Sequence, residues 1–209
     1  MSPVRVKICG ITRLEDALAA AELGADALGF NLWPGSPRFV RAEAAREIVA
    51  RLPPFVTPVG VFVNQPRDEV QRLAALAGVA ALQLHGDEPP PDCERLGLPV
   101  IKAFRVAGPE DLAALAAYGS VAAVLLDSRS EGFGGSGRAF DWELARRAAG
   151  GKPLVLAGGL GPGNVAEAVR AVRPFAVDSA SGVESSPGVK DREKVARFIR
   201  AAKEASLPW

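Results

Sequence analysis

Eight times along the chain, a short apolar run rich in β-branched residues gives way to a segment rich in Ala, Arg, Glu and Leu. The runs are Val4 to Cys9, Ala27 to Leu32, Pro58 to Val63, Ala81 to His85, Val100 to Phe104, Ala122 to Asp127, Pro153 to Ala157 and Phe175 to Ser179. The segments after them are Leu14 to Leu23, Arg41 to Arg51, Pro66 to Leu76, Pro89 to Leu96, Pro109 to Tyr118, Asp141 to Ala149, Pro162 to Val172 and Asp191 to Ala205. Strand-length runs alternating with helix-length segments predict parallel βαβ units, because parallel neighbours need a crossover between them. Pro66, Pro89, Pro109 and Pro162 suit a first helical turn, where a missing amide proton costs nothing. Asp191 suits an N-cap.

Eight units can close into a barrel or stay an open doubly wound sheet. Two features favour closure. No Gly-x-Gly-x-x-Gly follows the first strand, so the dinucleotide fingerprint of the open sheet is missing. Polar and reactive residues also recur at strand C-terminal ends: Cys9, Asn31, Asn64, His85, Asp127 and Asp178. A barrel gathers such ends at one mouth, whereas an open sheet spreads them along an edge. The expectation is an α/β fold, a single-domain (β/α)8 TIM barrel over residues 1–209. The longest candidate loop is the glycine-rich stretch Ser128 to Phe140, and a loop of that length in a compact barrel is often functional.

Composition narrows the partners. With 209 residues, 48% of them hydrophobic, the chain can bury one sizeable core. Its 25 basic and 24 acidic residues nearly cancel, which argues against nucleic-acid or membrane binding while leaving room for one local phosphate pocket. No run approaches membrane-spanning length, no secretory leader is visible, and two cysteines make no disulfide framework. A soluble cytoplasmic protein is the expectation. Helix faces rich in Ala and Leu suit either monomer surface or dimer contact, with a homodimer the expected assembly.

Several residues carry chemistry. Side chains alternate along a strand, so Lys7 and Cys9 share a face. If it points inward, Cys9 tops the strand with an ammonium beneath it, which would favour the thiolate as base or nucleophile. The plainer alternative, a small buried hydrophobe, weighs about as much. Cys93 sits beside Asp92 and Glu94 and reads as inert. Asp127 closes an apolar run before the glycine-rich loop, a setting that favours catalytic work over a loop-capping hydrogen bond. Gly158 and Gly159 follow strand seven, and Asp178-Ser179-Ala180-Ser181-Gly182 spans the end of strand eight. Glycines let backbone amides approach an anion, and many barrels bind phosphate here; ordinary tight turns are the alternative. His85, the only histidine, could stack on or hydrogen-bond a substrate or simply be a satisfied structural residue. With one histidine and distant cysteines, a metal site has little support. Arg38, in the rigid loop Pro34 to Phe39, has the fork that suits a carboxylate, yet taken alone it reads as surface arginine.

In order along the chain, Lys7-Ile8-Cys9-Gly10-Ile11-Thr12, Ser36-Pro37-Arg38, Val59 to Asn64, Gln83-Leu84-His85-Gly86, Leu126-Asp127, Gly134-Gly135-Ser136-Gly137, Ala157-Gly158-Gly159-Leu160 and Ala176 to Glu184 resemble the phosphoribosylanthranilate isomerase family from end to end. The resemblance implies an Amadori rearrangement of N-(5-phosphoribosyl)anthranilate to 1-(2-carboxyphenylamino)-1-deoxyribulose 5-phosphate in tryptophan biosynthesis. It implies Asp127 as general acid, Cys9 as general base and Arg38 as the anthranilate-binding arginine. Gly158, Gly159, Ala180, Ser181 and Gly182 match the phosphate site, and His85 and Asp178 match residues near the substrate. It implies no metal and no organic cofactor. Where many members carry two serines this chain has Ala180-Ser181, which removes one hydroxyl donor. Two other readings stand beside it: the histidine-pathway aminoaldose isomerase, expected to use two aspartates where this chain has Cys9, and a non-enzymatic sugar-phosphate-binding regulator.

Overall fold

In the computed structural model, described over residues 3–106, 114–128 and 151–206, eight parallel strands close into a barrel in sequence order. They are β1 (Arg5–Cys9), β2 (Ala27–Asn31), β3 (Thr57–Phe62), β4 (Ala81–Leu84), β5 (Val100–Val106), β6 (Ala123–Ser128), β7 (Leu154–Leu156) and β8 (Ala176–Ser179). Closure is made by β1 pairing with β8, with Lys7 opposite Asp178 and Ile8 opposite Ser179. Helices α1 (Leu14–Glu22), α2 (Ala42–Val49), α3 (Arg67–Ala77), α4 (Val165–Val172) and α5 (Arg192–Ala205) lie between and after the strands.

Alternation along the strands splits the apolar residues into two cores. One face of each strand points outward under the helices, where Val6, Ile8, Leu28, Phe30, Leu82 and Leu126 join Phe198 and Ile199 of α5. The other face points into the barrel, where Ala103, Ala123, Leu125, Val155, Ala157 and Ala176 form a separate cluster of mostly small side chains. Small residues suit the narrow interior of an eight-stranded barrel. They fill its lower part, and the polar strand ends stand above them.

The helix N-termini show how local chemistry sets boundaries. Asp191 caps α5, its carboxylate accepting from the amides of Glu193 and Lys194. Pro66, the predicted first helical residue, is instead the N-cap of α3, which begins one residue later at Arg67. Pro162 precedes α4 by a short turn in which the Asn164 side chain accepts from the Gly161 amide and donates to the Gly159 carbonyl.

The helix predicted from Pro89 to Leu96 is instead a single 3-10 turn, Pro90–Cys93. A proline disfavours helical backbone in the residue before it, so Pro90 holds Pro89 extended and the helix does not start there. Arg95 and Gly97 then take positive φ and turn the chain toward β5. Of the segment Pro109 to Tyr118, the described part holds a 3-10 turn at Ala114–Ala117. The predicted helix Asp141 to Ala149 and nearly all of the loop Ser128 to Phe140 lie outside the described residues. After β8 comes an unpredicted antiparallel hairpin, β9 (Glu184–Ser186) and β10 (Val189–Lys190), turned by Pro187-Gly188 with Gly188 in the left-handed region.

Candidate active site

A cavity of about 270 Å³ opens at the C-terminal mouth of the barrel. Each strand contributes from its last turn: Cys9 from β1, Asn31 from β2, Val61 from β3, Gln83 from β4 with His85 just beyond it, Arg105 from β5, Asp127 from β6, Ala157 to Gly159 after β7, and Asp178 and Ser179 from β8. Arg38 reaches in from the loop after β2, and Ala180 and Ser181 from the loop after β8. Nine of the ten residues expected at the site thus share this wall. Gly182 does not line it. It backs the loop after β7, where an added Cβ would strike the Leu160 carbonyl oxygen, so the absence of a side chain lets two loops pack closely.

The thiol rests on a charged pair. Lys7 and Asp178, both buried inside the barrel, meet at 3.0 Å directly below Cys9. Room for them comes from Gly29 on the neighbouring strand, where a Cβ would stand 2.7 Å from Cys9 Sγ and 3.2 Å from Lys7 Cε. Burial lowers the Lys7 pKa, but Asp178 and Cys9 outweigh it and leave the ammonium held above its ordinary range. For Cys9 the balance runs the other way. Burial pushes the thiol up, Lys7 pulls it down and Asp178 pushes it up again, with a net rise. Of the two readings weighed for Cys9, the pull of Lys7 toward the thiolate is present but outweighed: the protein interior disfavours the anion, and Asp178 opposes the ammonium.

Arg38 is not a partnerless surface arginine. Its Nε and Nη2 donate to Glu184 of β9 at 2.9 and 2.7 Å, a two-pronged grip on a buried carboxylate. Its backbone amide donates to Ser36 Oγ at 3.1 Å. Glu184 also accepts from Lys190 at 2.8 Å. Burial alone would raise the Glu184 carboxyl, but hydrogen bonds from Arg38 and Lys190 overcome it and hold the group below its usual range. Lys190, whose ammonium burial pushes down, also donates to the carbonyls of Cys9 and Ala180. One hairpin thereby fixes the arginine, the end of β1 and the loop after β8.

On the opposite rim, His85 Nε2 lies 3.2 Å from Asp127 Oδ2, and His85 Nδ1 lies 2.8 Å from the amide nitrogen of Gln83. Toward β7 and β8, Gly158 and Gly159 both have positive φ, and Ser179 Oγ donates to the Leu160 carbonyl at 2.7 Å. These loops abut the turn before α4, where backbone amides face an anion most favourably. Among the described residues, no group of three or more His, Cys, Asp or Glu side chains could hold a metal ion.

Arg105, Glu184 and Lys190 are site residues that sequence reasoning missed. Arg105 had a signal: one more residue of inward alternation beyond Ala103 reaches it. Glu184 and Lys190 had none, because they act through a hairpin that no hydrophobic period announces.

Comparison with known proteins fits this architecture. Residues 6–201 match the family model described as N-(5'-phosphoribosyl)anthranilate (PRA) isomerase. The N-(5'-phosphoribosyl)anthranilate isomerase of Myxococcus xanthus is 53% identical over 208 residues, covering 98% of each chain. The crystal structure of phosphoribosyl anthranilate isomerase from Thermotoga maritima superposes with a TM-score of 0.90 at 47% identity, over 96% of this chain and 99% of that one. A second isomerase structure, in complex with reduced 1-(o-carboxyphenylamino)-1-deoxyribulose 5-phosphate, has a TM-score of 0.86 at 45% identity, over 96% and 99% of the chains.

Proposed function

The chain belongs to the N-(5'-phosphoribosyl)anthranilate isomerase family, an enzyme family of tryptophan biosynthesis, and on that premise we propose how its pocket divides the work of isomerisation. Cys9 is the general base and Asp127 the general acid. The observation that carries this reading is that the thiol on β1 and the carboxyl on β6 line one cavity whose remaining wall is the glycine-lined end of β7 and β8.

The chemistry runs as follows. Protonated Asp127 gives its proton to the ribose ring oxygen as the bond from that oxygen to C1 breaks, and the nitrogen lone pair forms an iminium. The cation, arising beside Cys9, opposes the burial that holds the thiol up and so draws out the thiolate. The thiolate removes the proton from C2, now acidified by the iminium, and an enolamine results. Cys9 returns the proton at C1, and the C2 hydroxyl proton passes to Asp127. The ketone forms, Asp127 is protonated again, and Cys9 takes back from solvent the proton it released there when the iminium drew out the thiolate, so both groups return to their starting states. Arg38, with Glu184 occupying one edge of its guanidinium, offers its free edge to the anthranilate carboxylate. Backbone amides of Gly158, Gly159, Ala180 and Ser181 hold the phosphate, and Asp178 acts through Lys7 on the base.

Cys9→Ala and Asp127→Asn should each abolish consumption of freshly made phosphoribosylanthranilate, followed by fluorescence, while circular dichroism stays native. Near-normal turnover in either folded variant removes its assigned role. We further propose one catalytic domain over residues 1–209, a cytoplasmic location and a homodimer. Among the described residues no helix is long and apolar enough to cross a membrane. Phe55 is 95% exposed and Phe175 52%, both at the end of the barrel opposite the pocket, where a second copy would cover them. Sedimentation at the mass of a single chain would refute the dimer.

A further inference from the structure

Gln83 is 1% exposed, inside the barrel, between Val61 of β3 and Ile101 of β5. Its Nε2 stands 2.8 Å from His85 Nδ1, and its Oε1 is buried without a partner. The contact to the ring is thus what the buried amide group does. An amide nitrogen only donates, so the ring nitrogen facing it accepts and carries no proton. The proton of a neutral imidazole then sits on Nε2, which lies 3.2 Å from Asp127 Oδ2.

We propose that Gln83 is a positioning residue for the isomerisation: by donating to His85 Nδ1 it holds the ring as the neutral Nε2–H tautomer, which in turn holds Asp127 by Oδ2 with the deliverable proton on Oδ1. An imidazolium in the same place would stabilise the carboxylate and withhold the acid. The surroundings make such control necessary. Arg105, register partner of Asp127 on β5, is already one cation lining the pocket, and Arg38 is another. Cys9 and Asp178 line the pocket from β1 and β8 with Lys7 paired to Asp178 beneath them, and the Lys102–Glu88 pair, 2.8 Å apart, is buried where the β4 end meets β5.

The inference rests on Asp127 being the acid, and its test separates the two ideas. His85 is the only histidine, so long-range proton–nitrogen correlation spectra of the nitrogen-15-labelled full chain contain one native imidazole. At neutral pH the ring should show Nδ1 unprotonated and Nε2 protonated. In Gln83→Glu a carboxylate would accept from Nδ1–H while Nε2–H stays on Asp127, converting the ring to the imidazolium. The alkaline limb of kcat/KM should then move down by about one pH unit, about a tenfold loss above the limb. Gln83→Met, which removes the donor without adding charge, should give mixed tautomers; the Nδ1–H form presents a bare Nε2 that accepts from protonated Asp127, so the limb should move the opposite way, upward, and this variant serves if the glutamate variant fails to fold. A wild-type ring protonated on Nδ1, or a converted ring with an unmoved pH profile, overturns the proposal. The spectrum needs no turnover: if Asp127→Asn keeps normal activity while the tautomer is as stated, the acid assignment fails and the hydrogen-bond chain stands.

Discussion

Cys9 shows how one side chain's chemistry is set by competing terms of similar size. The thiol tops β1, Lys7 sits one inward position below it, and Asp178 binds Lys7 from β8. Burial and Asp178 favour the thiol, while Lys7 and Lys190 favour the thiolate, and the thiol wins in the free protein. Alkylation of Cys9 by iodoacetamide should therefore rise with pH through a midpoint above that of an unfolded cysteine. Lys7→Met should move the midpoint higher still, because it removes the attraction and frees Asp178 to repel. Each unit of movement removes about tenfold of the thiolate at a fixed pH below the midpoint. Cys93, 2% exposed with its thiol pushed to about 11, should not compete. A Cys9 midpoint below the unfolded value would contradict the balance described. At this scale the candidates Cys9 and Asp127 were legible, since strand alternation and strand-end position suffice to find them. The direction of the Cys9 shift was not, because it depends on a carboxylate that lies far away in sequence and arrives through closure of the barrel.

Elements read unevenly for physical reasons. Long amphipathic segments such as α3 and α5 announce themselves through spacing of apolar residues, and the Asp191 cap marks one start to the residue. The Pro89–Pro91 segment misled because proline suits a helix's first turn and yet, when repeated, holds the residue before it out of helical backbone. The β9–β10 hairpin was invisible, being too short for a period and held by charge. Glu184 binds the hairpin to Arg38 and Lys190. Glu184→Gln leaves two cations without their counter-charge, and breaking a buried pair this way costs about 3 kcal/mol. For a chain of this size that is a fall in Tm of roughly 6–12 °C by calorimetry. The pH dependence has a definite sign. The folded carboxyl titrates below its unfolded value of 4.5, so its stabilisation is complete above that pH and is lost as pH falls through the folded pKa. Wild-type Tm should therefore drop on acidification, and the drop should be shallower in the glutamine variant. Because Arg38 loses the partner that aims it, KM should rise more than kcat falls. Unchanged Tm and KM together would show that the cluster is energetically idle.

The whole molecule separates stability from chemistry by the face on which a side chain lies. Eightfold alternation of strand-length and helix-length segments made the architecture legible in sequence because each strand repeats the same requirement: an outward face that must be covered and an inward face narrow enough to close. The outward core carries most of the large apolar side chains, the inward one mostly small residues topped by polar ends. A substitution in the outer core should change folding energy without touching the pocket. Phe198 of α5 provides the test: it is fully buried, and its helix packs on α1, α4 and β1. The same helix reaches back to the chain start through Ser206, whose hydroxyl accepts from the Val4 amide at 3.0 Å. Phe198→Ala removes a ring from a fully buried site on a helix packed against α1, α4 and β1, and should cost about 3–5 kcal/mol. Denaturant titration should show the midpoint falling with an unchanged slope, since the surface exposed on unfolding stays nearly the same. Below its lowered Tm the variant should keep wild-type KM and kcat. A selective loss of kcat at temperatures where it remains folded would mean that the outer shell transmits strain through the strands to Cys9 or Asp178, and that the two faces are mechanically one.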